Sequence, residues 1–279
     1  PAGGLALIDH GLTPVGVVHG RRGGVGTQAF YDAVKHLPRW RLPALDDQRM
    51  IDALAALKPD LVVASFYPQL IPQAVLDLAP GINVHPSALP RFRGPDPCGW
   101  TIRSGDTETA ITVHWLTEGF DEGDVIQQWP VSVSSRETTG RLAKRLEAQG
   151  ARRVADIALR IAQGLKVDSK PQTGTITWAP VVPDDQWEID WSEDAMTIDR
   201  LVRAAQPEPG AYTGVGHELM VLLNARAVSA RNFNILPFGT PYVDREYLHI
   251  KCGEGALQIR RVRLGRRILR GQELARLFV

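Results

Sequence analysis

Ile82-Asn83-Val84-His85-Pro86-Ser87-Ala88-Leu89-Pro90, running on to Arg93-Gly94, is the stretch whose reading decides the fold. An apolar run carries an amide and an imidazole two residues apart, then breaks at Pro86. On a strand, side chains two apart share a face, so Asn83 and His85 point the same way. Polar donors at the C-terminal end of a buried strand, beside a loop, mark where open α/β sheets place their chemistry.

Outward from this stretch, strands and helices alternate from residue 1 to about 165. Residues 3–10 read as a helix and 13–18 as a strand. Residues 46–57 show helical spacing at Met50, Ile51, Leu54 and Leu57. Residues 60–66 form a continuous apolar run, as expected of a strand covered on both faces. Residues 109–115 alternate strictly, with Ile111 and Val113 in phase. Residues 137–164 predict a long amphipathic helix burying Leu142, Leu146, Val154, Ile157 and Ile161. Such alternation predicts an α/β domain with a mostly parallel sheet. A nucleotide-type fold opens on a strand, whereas this chain opens at Pro1 on a helix. A first strand upstream of Pro1 is therefore expected, and the intact mass of the native protein tests it. Residues 168–188, with Pro171, Gly174, Pro180 and Pro183, read as a linker. Beyond lie a helix near 194–205 and strand-like pieces at 218–227, 247–251 and 256–264, which predict a small all-β barrel. The domains fall at 1–168 and 188–279, with 169–187 between them.

Composition narrows the function classes. With 44% hydrophobic and 23% charged residues, a packed soluble fold is expected. No apolar run has the length of a membrane span. Cys98 and Cys252 are the two cysteines and have no metal-ligand spacing. A reducing, cytoplasmic setting and no metal are expected. The net charge of +1 supplies no global field for nucleic acid. From Arg245 onward, however, nine Arg or Lys face three Asp or Glu, a local balance of +6 carried mostly by Arg260, Arg261, Arg263, Arg266, Arg267 and Arg270. These residues fit either a solvated strand pair or a contact for the phosphates of a large acceptor such as a transfer RNA.

A third polar element is Gly119-Phe120-Asp121-Glu122-Gly123-Asp124, a Gly-flanked acidic loop after the 109–115 strand. A carboxylate there would orient His85 and favour its protonated form. An amide and an imidazolium aimed at one point preorganise a site for a developing oxyanion, which suits acyl transfer to an amine. No Ser or Cys has a nucleophile's context, so direct transfer is expected. By spacing alone, Asn-x-His also fits a structural histidine and the acidic loop an ordinary turn. Asp121, Glu122 and Asp124 lack the twelve-residue loop of a calcium site.

The stretch from Asn83 to Gly94 resembles the signature of folate-dependent formyltransferases, and Asp121, 36 residues beyond His85, lies in a matching Asp-x-Gly-Asp loop. Within that family the chain is most similar to methionyl-tRNA formyltransferases and related amine N-formyltransferases. Pro59-Asp60-Leu61-Val62-Val63 leading to Tyr67 and Ile71-Pro72 resembles the folate-pocket strand. Ile189-Asp190-Trp191-Ser192, Arg203-Ala204-Ala205, Pro207 and Pro209-Gly210-Ala211 resemble the start of the C-terminal domain. The resemblance implies a Rossmann-like domain followed by an OB-like barrel, with 10-formyltetrahydrofolate as donor and an amine as acceptor. It implies Asn83, His85 and Asp121 as the catalytic trio, with Asn83 and His85 on the formyl oxygen and Asp121 taking the proton of the amine. It further implies folate contacts at Phe66, Tyr67, Pro68, Gln69, Leu70, Ser87, Ala88, Leu89, Pro90, Leu116, Thr117, Gly119, Phe120 and Asp124. The chain departs from the methionyl-tRNA enzymes at Pro68, where Gly is common, and at Ala88, where Leu is common. Their basic insertion is here the shorter, glycine-rich segment 19–26. A small or carrier-linked amine is therefore the favoured acceptor. Methionyl-tRNA, hydrolysis of 10-formyltetrahydrofolate by water, and a non-catalytic folate- or RNA-binding module are the alternatives.

Overall fold

The computed structural model describes residues 1–20, 27–41, 43–67, 69–229, 235–244 and 246–277. Arg21 and Arg22, with the rest of 21–26, and Pro68 lie outside them. The chain forms two compact units that interleave in sequence. One holds Pro1–Pro97, Thr107–Val133 and Leu142–Pro180; the other holds Cys98–Asp106, Ser134–Arg141 and the residues from Val181 onward.

The first half of the chain forms α1 (Ala2–Asp9), β1 (Val17–His19), α2 (Thr27–Ala33), β2 (Arg39–Arg41), α3 (Gln48–Ala56), β3 (Val62–Ser65), α4 (Gln73–Leu76), β4 (Gly81–His85), α5 (Pro97–Ser104), β5 (Glu108–Trp115), β6 (Val125–Ser132) and α6 (Thr139–Ala162). β1 and β2 pair in parallel as a two-stranded sheet. β3, β4, β5 and β6 lie in that order in a second sheet. β3 and β4 are parallel, and β5 and β6 add antiparallel pairs. The β5–β6 pair is joined by a short loop, which has no room for the crossover a parallel pair requires.

Local chemistry sets the boundaries. Asp47 caps α3 by accepting a hydrogen bond from the Arg49 N–H at 2.8 Å. α6 buries Leu142, Leu146, Gly150, Val154 and Ile157 on one face. At Gly150 the helix backbone comes so close to β4 that a Cβ would stand 2.9 Å from Val84 Cγ2. β3 is half-buried rather than covered throughout, because it is an end strand of its sheet. In this half of the chain α2, β2, α4, α5 and β6 escape the sequence pattern. β6 carries Gln127, Gln128 and Pro130 and reads as polar, yet Pro is tolerated on an end strand.

In the second unit, Asp194 caps α7 (Ala195–Ala204) through Met196 N–H and Thr197 N–H. β7 (Ala211–Val215), β8 (Glu218–Val228), β9 (Pro241–Asp244), β10 (Tyr247–Lys251), β11 (Ala256–Leu264) and β12 (Arg267–Arg270) follow, then α8 (Gly271–Ala275). The order is β7-β8-β11-β10-β9, all antiparallel, with β12 also on β11. One edge of β11 serves β10 up to Ile259 and β12 from Arg261, and the register along β8 shifts at that handover. Among the described residues no pairing joins β7 to β9, so the expected barrel is an open antiparallel sheet. Strand-like runs and turns carry no information about whether two end strands meet.

Candidate active site

β4 places Asn83 and His85 on one face, and its antiparallel neighbour β5 sets His114 opposite Asn83 and Thr112 opposite His85. Asp121 comes from the loop between β5 and β6. Its φ of 52° is left-handed, as are the φ values of 53° at Phe66 and 57° at Phe92. Non-glycine residues in that region are held there by their surroundings and gather at functional sites. The loop also needs Gly123, where a Cβ would stand 1.8 Å from the Trp115 carbonyl oxygen.

The structure brings Asn83, His85 and Asp121 together. Asn83 Nδ2 donates to Asp121 Oδ1 at 3.0 Å and lies 3.2 Å from His114 Nε2. His85 Nδ1 lies 3.4 Å from Asp121 Oδ2, and its Nε2–H donates to the Phe92 carbonyl at 2.9 Å. The Gly94 N–H donates to Asp121 Oδ2 at 2.9 Å. His114, 1% exposed, lies 3.3 Å from Asp121 Oδ1 and places its Nδ1 2.8 Å from the Trp115 carbonyl.

Burial pushes the Asp121 carboxyl up, but the contacts from His114, His85 and the Gly94 N–H outweigh it and hold the group at about 2. Asp121 is therefore an anion at neutral pH. Burial pulls His85 below the ordinary imidazole value; Asp121 and the Phe92 carbonyl oppose this, and His114 adds to it. The net direction is down. This corrects the expectation that the carboxylate leaves His85 more readily protonated, because the ring is 4% exposed and its desolvation dominates.

The other expected contacts fall into two groups. Ser87, Leu89 and Pro90 are buried and Ala88 is half-buried. Ser87 Oγ donates to the Arg91 carbonyl at 2.6 Å, and Thr112 Oγ1 donates to the Ser87 carbonyl at 2.6 Å. Gln128 Nε2 donates to the Leu89 carbonyl and to Thr112 Oγ1, so the turn after β4 is tied to β5 and β6. Phe66, Tyr67, Gln69 and Leu70 follow β3, and the Tyr67 hydroxyl donates to Gln69 Oε1 at 2.5 Å. Tyr67 and Leu116 both pack against the core of Ile71 and Val75. Leu70 and Phe120 are 40% and 39% exposed. Asp124 is exposed at its side chain, and its carbonyl accepts from the Trp115 N–H. The backbone of Thr117, Glu118, Gly119 and Phe120 pairs with no other backbone group among the described residues. Also among these, no group of three or more His, Cys, Asp or Glu has a metal-binding arrangement, and no helix is long and apolar enough to cross a membrane.

Sequence reasoning missed His114, although a signal was present: the alternation that turns Ile111 and Val113 one way turns Thr112 and His114 the other.

The structure thus gathers an asparagine, two histidines and an aspartate at one end of an α/β sheet. The formyl transferase family profile matches residues 18–156, and the formyl transferase C-terminal domain profile matches residues 182–278. A methionyl-tRNA formyltransferase of Citrifermentans bemidjiense is 32% identical over 270 residues, covering 92% of this chain and 83% of the relative. One from Ralstonia pickettii is 36% identical over 212 residues, 75% of this chain and 65% of the relative. The chain belongs to the formyl transferase family and is a formyltransferase. Two solved structures share its fold. HypX from Aquifex aeolicus in complex with tetrahydrofolic acid has a TM-score of 0.68 at 21% identity, covering 94% of this chain and 47% of that one. This chain thus spans about half of HypX. An N-formyltransferase from Helicobacter canadensis, in complex with folinic acid and dTDP-3-aminofucose, has a TM-score of 0.60 at 15% identity, covering 86% of each chain.

Proposed function

We propose that this chain moves the formyl group of 10-formyltetrahydrofolate to a primary amine, with Asn83, His85 and Asp121 as the catalytic groups. The observation that carries the reading is the ionised, shielded Asp121 carboxylate within 3.0 to 3.4 Å of Asn83 and His85. The amine nitrogen attacks the formyl carbon, and negative charge gathers on the formyl oxygen. Asn83 has two Nδ2 protons; one is held by Asp121, and turning the other to that oxygen stabilises the charge. The carbon–N10 bond of the donor then breaks. The proton lost by the amine passes to Asp121, directly or through water, and from Asp121 to N10, which leaves protonated as tetrahydrofolate and restores the carboxylate.

The chain fits the folate donor at the loops beside β3 and β5. A pteridine needs apolar walls and a row of backbone donors and acceptors at its edge. Phe66, Tyr67 and Leu70 supply walls, and the unpaired backbone of Thr117, Gly119 and Phe120 supplies the edge. For the acceptor we favour a small or carrier-linked amine, on the glycine-rich 19–26 segment. Methionyl-tRNA is the second reading, favoured by the exposed arginines of β11 and β12.

The test is release of tetrahydrofolate from 10-formyltetrahydrofolate by wild type and Asp121→Asn, with methionyl-tRNA, with a panel of primary amines and with water alone. Turnover that needs an amine and falls by about 10²- to 10⁴-fold in Asp121→Asn is expected. Turnover without any amine means a hydrolase, and Asp121→Asn at the wild-type rate overturns the assigned base.

A further inference from the structure

Residues 170–179, which read as linker, run along both loops that carry the site. Val125 and Lys170 exchange backbone hydrogen bonds at 2.8 and 3.0 Å. The Arg93 N–H donates to the Thr177 carbonyl at 3.0 Å and the Ala179 N–H to the Arg93 carbonyl at 2.7 Å. The Phe92 N–H donates to Thr177 Oγ1 at 2.9 Å. Between these clamps sits Gln172. Its Nε2 donates to the carbonyl of Asp121 at 2.7 Å and to that of Gly123 at 2.9 Å. Its Oε1 accepts from Arg93 Nε at 3.2 Å and Arg93 Nη2 at 2.9 Å. Arg93 is 7% exposed, and its Nη1 lies 3.5 Å from Glu122 Oε1.

A planar amide suits this place. Two carbonyls of one tight turn converge on a single NH2 group, while the opposite edge meets a guanidinium. The buried cation polarises the amide and strengthens both donations. The residue so held is Asp121, whose left-handed φ of 52° needs support from its surroundings. We propose that Gln172 is a positioning residue for the formyl transfer, fixing the 121–123 turn so that the Asp121 carboxylate stays on Asn83, His85 and the Gly94 N–H. The inference rests on the reading of Asp121 as catalytic, and Gln172 itself touches no reacting atom.

Two variants separate its roles. Gln172→Leu removes every one of these hydrogen bonds, whereas Gln172→Glu keeps an acceptor for Arg93 and loses both donations. Thr175→Ala, exposed on the same segment, is the control. Both Gln172 variants should lower kcat for tetrahydrofolate release by roughly 10- to 100-fold and leave KM for 10-formyltetrahydrofolate unchanged, with Thr175→Ala at the wild-type rate. A second readout needs no turnover. Hydrogen exchange of the Gly94 amide, followed by NMR, should accelerate in both Gln172 variants, because its acceptor is Asp121 Oδ2. Wild-type kcat in both variants, or a lower kcat with Gly94 exchange unchanged, overturns the inference. So does a lower melting temperature with kcat per folded molecule intact, which would make Gln172 a structural staple only. If Asp121→Asn keeps full activity, the catalytic reading fails, and Gly94 exchange still decides whether Gln172 positions the turn.

Discussion

One imidazole of the proposed site is held in a balance of opposing influences. His85 faces an anion on Nδ1 and a carbonyl on Nε2, both of which favour the charged ring, yet its burial prevails. A histidine whose folded value lies below its unfolded value binds fewer protons in the native state. Its contribution to stability is present above the ordinary imidazole value of about 6.5 and is lost as pH falls through the lower, folded value. Replacing His85 by Gln should flatten the fall in melting temperature across that window. The slope should not vanish, because His249 is shifted in the same direction by its own burial. Thermal melts of wild type and His85→Gln from above to below the window check this, and parallel curves would refute it. Asp121 acts on the same side but further down, between the ordinary carboxylate value and about 2. Asn83 and His85 were legible in sequence because period two and the break at Pro86 are local signals. The acidic loop was legible from its flanking glycines, and Asp121 within it only through the resemblance. Gln172 was not, since its partners lie 51 and 49 residues away along the chain and no local pattern encodes such a reach.

Elements were legible where burial imposed a period and obscure where it did not. α6 shows its stripe over its whole length, and β4 and β5 show theirs over a few residues. β6 hides because an end strand can keep polar residues and a proline. The 170–179 segment hides because it pairs by single bridges rather than as a ladder, and its prolines and glycine suggest only a connection. The packing of α6 on β4 ties stability to the site. Gly150 sits against Val84, and Val84 lies between Asn83 and His85. Gly150→Leu should force the helix away from the strand and destabilise the protein by about 1–3 kcal/mol through overpacking. It should also lower kcat, because β4 aims Asn83 and His85, the two side chains proposed as catalytic. A urea melt alongside tetrahydrofolate release measures the two together. Loss of stability with kcat intact would show that β4 holds its site residues independently of α6.

At the scale of the whole molecule, the second unit carries a charge pattern that folding does not require. Arg261 stands directly opposite Arg270 across β11 and β12, Arg263 lies two residues on, and all three are exposed. Like charges facing each other across a strand pair are unfavourable, and among the described residues none of these three has an ion-pair partner. The opposite face of the same ribbon is satisfied by Val262 and Leu269, both buried. The arginine face is therefore available for a polyanion. If that polyanion is the methionyl-tRNA of the second reading, its use must show in the salt dependence of binding, since each neutralised phosphate releases about one counterion. The triple variant Arg261→Glu, Arg263→Glu, Arg270→Glu should then raise KM for methionyl-tRNA and flatten the plot of log KM against log salt concentration. Its kcat for formylation of a small amine should stay at the wild-type value, because the face lies in the second unit and Asn83, His85 and Asp121 lie in the first. An unchanged KM and slope with methionyl-tRNA would remove the arginine face from acceptor binding.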